Sequence, residues 1–116
     1  MTIDAIFAQV SCRDLAASTE WFATLFGRQP DATPMDHLAE WRRPGAGLQL
    51  FEAAEHAGHA GHATLTLIVD DVATERERLA EAGLEPGEVE TADYTSIARM
   101  RDPDGNLIVL AQPNQR

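Results

Sequence analysis

The chain repeats itself. Laying Pro44-Gly45-Ala46-Gly47 over Pro103-Asp104-Gly105-Asn106 sets Leu38 on Ile97, Ala39 on Ala98, Trp41 on Met100, Arg42 on Arg101, Leu48 on Leu107 and Leu50 on Val109, an offset of 59 residues throughout. Near the start of each half an offset of 57 pairs Phe7 with Thr64, Asp14 with Asp71, Leu15 with Val72 and Ala16 with Ala73. A repeat of this kind requires both halves to adopt one supersecondary unit and to bury their apolar faces together. With 116 residues in all, the chain accommodates one domain made of two such units. The expected division is a first module over about 1–54, a linker over 55–62 and a second module over about 63–116.

Each unit reads as βαβββ. Ile3 to Cys12 alternates as a strand does, with Ile6, Ala8 and Val10 on one face and Phe7, Gln9 and Ser11 on the other. Asp14 then opens a helix in which Leu15, Ser18, Trp21, Phe22, Leu25 and Phe26 recur at helical spacing, and Gly27 stops it. Extended segments follow around 28–32, over 37–43 and over 48–53, the last two joined by a four-residue turn at Pro44-Gly45-Ala46-Gly47. The second half gives a strand over 64–69, a helix from Val72 to Ala82 ended by Gly83, a weak strand over 89–92, and a hairpin with arms 96–101 and 107–112. The fold class is therefore α+β, two tandem βαβββ modules. The linker Glu55-His56-Ala57-Gly58-His59-Ala60-Gly61-His62 reads as a flexible crossover with solvated histidines, because Gly58 and Gly61 oppose a helix that would stack His56, His59 and His62 as metal ligands.

Charge narrows the partners. Nine arginines and no lysine stand against nineteen acidic residues, a net charge of −10, which disfavours nucleic acid and anionic membranes. A neutral or cationic small molecule fits better. No apolar run approaches the ~20 residues of a membrane span, and the start lacks the features of a signal peptide, so a cytoplasmic location is expected. Cys12 is the lone cysteine, in an alternating apolar segment, and reads as a core residue.

The two βαβββ units, the run Val10-Ser11-Cys12-Arg13-Asp14-Leu15 leading into Trp21-Phe22 and Leu25-Phe26-Gly27, and the closing Arg101-Asp102-Pro103-Asp104-Gly105-Asn106-Leu107-Ile108-Val109-Leu110 together resemble the vicinal oxygen chelate superfamily. That superfamily includes glyoxalase I, extradiol dioxygenases, fosfomycin-modifying enzymes and bleomycin-resistance binding proteins. The resemblance spans nearly the whole chain. It implies a curved mixed sheet from each module, facing modules around a ligand cavity, and a homodimer.

The resemblance also implies a divalent metal held by His, Glu or Gln on the first and last strands of each module. The matching positions here are taken as Phe7, Thr64, Leu50 and Val109, and none is a good ligand. Glu52 and His62 share faces with two of these positions and offer at most a displaced pair. No metal and no other cofactor is therefore expected. No nucleophile with a nearby His/Asp pair and no phosphate loop is present, and Glu75, Glu77 and Glu81 read as a solvated helix face.

Parity puts Phe7, Gln9, Thr64 and Thr66 on the cavity face. Counting back from the expected turns sets Trp41 opposite Leu50 and Met100 opposite Val109, so Trp41 and Met100 become candidate walls for a planar or aromatic ligand. The candidate ligand-binding set is Phe7, Gln9, Trp41, Leu50, Glu52, Thr64, Thr66, Met100 and Val109. Two functions remain open. One is a metal-free binder of a partly apolar, cationic or aromatic molecule. The other is an enzyme, either a lyase or dioxygenase with a displaced metal or an isomerase using Glu52 or Glu40 as base.

Overall fold

The computed structural model describes residues 1–52 and 54–114. Strand β1 (Ile6–Ser11) leads into helix α1 (Leu15–Phe26), followed by β2 (Ala32–Met35), β3 (Leu38–Arg43) and β4 (Ala46–Phe51). A short 3-10 helix over Ala54–His59 joins the halves. Then come β5 (Thr64–Ile68), α2 (Val72–Glu81), β6 (Glu90–Thr91), β7 (Thr95–Arg101) and β8 (Leu107–Pro113). The two sheets have matching orders, β1-β4-β3-β2 and β5-β8-β7-β6, each with one parallel pair beside antiparallel ones. The tandem βαβββ reading holds, and the sheets stay separate within one chain.

Helix starts follow their caps. Asp14 accepts from Ala17 N–H at 3.2 Å and Asp71 from Thr74 N–H at 3.1 Å, satisfying first-turn donors that the helix leaves orphaned. This bonding holds the Asp71 carboxyl below its ordinary range. Gly27 takes the left-handed conformation (φ +74°) that ends α1, and Arg28 N–H returns to Ala23 C=O.

Three expectations shift. The strand placed at 28–32 begins only at Ala32, because Arg28 is held by Asp31 and by the Arg42 carbonyl, which makes 28–31 a tied connection. The linker is not a plain coil, since Ala54–His59 forms a short helix. Ala53 and the side chains of Glu55, His56 and Ala57 lie outside the described residues, so the three-histidine spacing is not described as a set. The first hairpin turn has two residues and not four. Arg43 pairs with Ala46, and Gly45 at φ +76° after Pro44 is the geometry that Pro-Gly favours at the centre of a tight turn.

One core serves both halves. Phe22, Leu50, Leu79 and Ile108 are fully buried in a cluster that includes Val10, Trp41, Leu48, Ala98, Met100 and Leu110. Across the joint, Arg78 of α2 donates to the carbonyls of Thr24 and Leu25 at the end of α1, at 2.8 and 2.7 Å. No helix among the described residues is long and apolar enough to cross a membrane.

Candidate functional site

Each sheet has a helix-covered face and an open face, and strand register decides which residue goes where. In the first sheet Ala8 pairs with Leu48 and Val10 with Leu50, while Trp41 pairs with Leu48 and Ala39 with Leu50. These side chains face the helices. Leu50 is fully buried and Trp41 nearly so, its indole N–H donating to the Arg28 carbonyl at 3.0 Å. In the second sheet Met100 pairs with Ile108, and Arg99 pairs with Val109.

The expected pairings of Trp41 with Leu50 and Met100 with Val109 are thus corrected. The reason is turn length. Four residues, Arg43 to Ala46, lie between the paired Arg42 and Gly47, and five, Asp102 to Asn106, between the equivalent pair Arg101 and Leu107, so the internal offset of 59 before the turns becomes 60 after them. A one-residue slip exchanges the faces of a strand. Leu50 and Met100 stand in the core, Trp41 is buried with one edge on the helix-side cleft, and Gln49, not Leu50, occupies the open-face position that matches Val109.

The open face of the first sheet carries Phe7, Gln9, Gln49, Glu40 and Arg42. Phe7 lies directly over Gly47, where any Cβ would collide with its ring and with the Trp41 carbonyl. Beyond it runs a polar chain. Gln9 Nε2 donates to Gln49 Oε1 at 3.1 Å, Gln49 Nε2 donates to Glu40 Oε2 at 2.9 Å, and Arg42 Nε donates to Glu40 Oε1 at 2.9 Å. Glu40 is buried, and these donors, Gln49 first and then Arg42, hold its carboxyl below the usual range. Thr64, Thr66, Ile68 and Val109 share the open face of the second sheet, with Arg99 ion-paired to Glu90 at its far side. Phe7, Gln9, Thr64 and Thr66 therefore stand on the face where parity put them, and Val109 joins them through its register with Thr66. Gln49 and Arg42 were missed, and Pro44-Gly45 read as a complete two-residue turn would have found both.

A cleft of about 630 Å³ separates the modules on the opposite, helix-covered side. Ile6, Ala8, Trp41 and Leu48 line it from the first module and Leu65, Leu67, Leu79 and Leu110 from the second.

Glu52 has a structural task. Its Oε1 accepts the Leu15 N–H at 2.8 Å, capping α1, and Gln112 does the same for Val72 N–H of α2 at 2.9 Å. A candidate base thus proves to be half of a repeated helix cap. Glu52→Gln keeps an acceptor and should leave stability within about 0.5 kcal/mol, whereas Glu52→Ala should cost about 1 kcal/mol in urea denaturation. Equal losses in both variants would argue against the cap.

The Asp-Pro-Asp-Gly-Asn turn is likewise structural. Asp102 accepts from Asp104 N–H, Asn106 N–H and Asn106 Nδ2, and Asn106 Oδ1 accepts from Ala63 N–H at 2.9 Å. Asp104 reaches the other module, accepting from Arg13 N–H, Arg13 Nη1 and Ser18 Oγ. Cys12 is buried beside this latch. Burial first, then the Asp104 charge, pushes its thiol up to about 11, which fits its reading as a core residue.

The residues do not fit the divalent metal that the resemblance implies. The corrected open-face positions are Phe7, Gln49, Thr64 and Val109, so the only amide oxygen among them already accepts from Gln9. Among the described residues no group of three or more His, Cys, Asp or Glu side chains is placed to hold a metal.

A family model described as a glyoxalase-like domain matches residues 5–111. Among solved structures, the chain is similar to a glyoxalase/bleomycin resistance protein from Catenulispora acidiphila, at 33% identity over 93% of this chain and 96% of that one, with a TM-score of 0.81. It is also similar to an antibiotic-binding protein from a Streptomyces species, at 24% identity over 95% of each chain and a TM-score of 0.80. A bleomycin-binding protein complexed with bleomycin shares 20% identity over 97% of this chain and 99% of that one, with a TM-score of 0.77. The last two likenesses bear on the fold alone. No curated protein matches the chain.

Proposed function

Since the chain belongs to the glyoxalase-like domain family, we propose that it is a binding protein for a small, partly apolar molecule of aromatic or cationic character. The binding surface is the open face of the sheets, completed in a homodimer where the first sheet of one subunit meets the second sheet of its partner. The observation that carries this reading is the chemistry of those faces. One presents an exposed aromatic ring beside amides, and the other presents threonines, isoleucine and valine, the mixture of apolar body and few polar groups that ligand sites use. The edge strand β5 adds to it, because Ile68 on the open face is 70% exposed in a single chain. Similarity to proteins named as binding antibiotics and bleomycin supports a bulky ligand.

Carboxylate-base catalysis gains no comparable support. Glu52 is committed to a helix cap, and a base working near neutral pH needs a raised pKa, whereas that of Glu40 is lowered.

Calorimetric titration with bleomycin and a panel of planar aromatic cations tests the proposal, alongside light scattering for the dimer. Phe7→Ala should weaken binding of whichever compound is retained by about 1–3 kcal/mol, as loss of an aromatic anchor does. Unchanged affinity in Phe7→Ala together with weakened affinity on altering Leu67 would move the ligand to the helix-side cleft and overturn the open-face assignment.

A further inference from the structure

We infer that Gln9 presents its carbonyl oxygen, Oε1, on the open face as the acceptor for a ligand N–H or O–H group, and that Glu40 is the positioning residue that fixes this polarity through Gln49. The inference rests on the open-face reading above and deepens it by naming the ligand group that is recognised. An ionised carboxylate only accepts hydrogen bonds. Both Glu40 oxygens are engaged, one by Arg42 Nε and one by Gln49 Nε2, each at 2.9 Å. Turning the Gln49 amide over would set its oxygen against a carboxylate oxygen at the same distance, two acceptors in repulsion. Gln49 must therefore direct Oε1 toward Gln9.

The same logic passes one step along. Gln9 meets that oxygen at 3.1 Å and must answer with its Nε2, which leaves Gln9 Oε1 as the end of the chain. Gln9 is exposed, while Glu40 at the other end is only 7% exposed. A buried charge with two donors on it thus sets the direction of an exposed amide, and hydrogen-bonded chains of this kind resist reversal. Phe7 stands two residues away on the same face, roughly 7 Å along the strand. The pair suits an aromatic ammonium, amidinium or amide, with the ring against Phe7 and an N–H on Gln9.

Benzylammonium and benzyltrimethylammonium share a ring and a charge, but only the first has N–H donors. Titrating each into the full-length protein by NMR, following the side-chain amides of Gln9 and Gln49 and the backbone of Phe7 and Val109, separates the outcomes. Benzylammonium is expected to bind about fivefold tighter, the worth of one ordinary hydrogen bond, and to shift the Gln9 amide. That preference should fall to about one in Gln9→Leu and in Glu40→Gln, with the rest of the spectrum preserved. Equal affinities in the wild type, or a preference that survives Gln9→Leu, overturn the acceptor role while leaving open-face binding intact. A preference retained in Glu40→Gln overturns the positioning role. Failure of both probes to shift any open-face resonance sinks both the inference and the binding reading beneath it.

Discussion

Phe22→Ala is expected to destabilise the protein by about 3–5 kcal/mol, the loss typical of an aromatic side chain deleted from a packed core. Phe22 has no exposed surface. Its ring lies 5.0 Å from Trp21, 6.0 Å from Phe26 and 6.3 Å from Trp41, so it joins α1 to β3 through aromatic contacts on several sides. Both neighbours on the helix belong to the same rigid element, and Trp41 is pinned by its indole bond to Arg28, which limits how far the walls can close over the cavity. Urea denaturation monitored by tryptophan fluorescence gives the number directly. A loss below about 1.5 kcal/mol would mean that the aromatic cluster collapses freely and is not the rigid centre described above.

Asp102→Ala is the second large effect, about 2–4 kcal/mol. The side chain is buried and accepts from two backbone N–H groups and the Asn106 amide, so its removal leaves three donors without their acceptor, two of them on the fully buried Asn106. The damage should spread. Asn106 Oδ1 holds Ala63 N–H just before β5, and Asp104 holds Arg13 and Ser18 of the other module, so a slack turn loosens both connections at once. Hydrogen exchange should show faster exchange at Ala63, Asp104 and Asn106, and at Arg13, whose N–H bonds Asp104. Loss confined to the turn would show that the inter-module latch stands without Asp102.

Much of this architecture was legible because two kinds of signal agree in both halves. Alternation marks β1 and β5, and Asp14 and Asp71, 57 residues apart, cap equivalent helices with the same bond. The site was legible only in part. Phe7, Gln9, Thr64 and Thr66 lie on strands read from a single clear run, and parity placed them correctly. Leu50 and Val109 lie beyond hairpin turns, where a difference in turn length between the halves changes the count. That difference hid Gln49 and made Leu50 look like a cavity residue. Glu52 was hidden for another reason, since a carboxylate just beyond an apolar strand carries no sequence mark that distinguishes a helix cap contributed from a distance from a catalytic group.

The buried thiol of Cys12 has a practical consequence. Burial pushes its pKa up to about 11, so little of the thiol is ionised near neutral pH, and the sulfur is shielded as well. The native chain is therefore expected to react slowly with maleimides and disulfide reagents. A cysteine placed by design on β1 or β5 would be the single fast-labelling position in the chain, and spin or fluorescent labels at those edges would test the proposed dimer without first stripping the protein of its own cysteine.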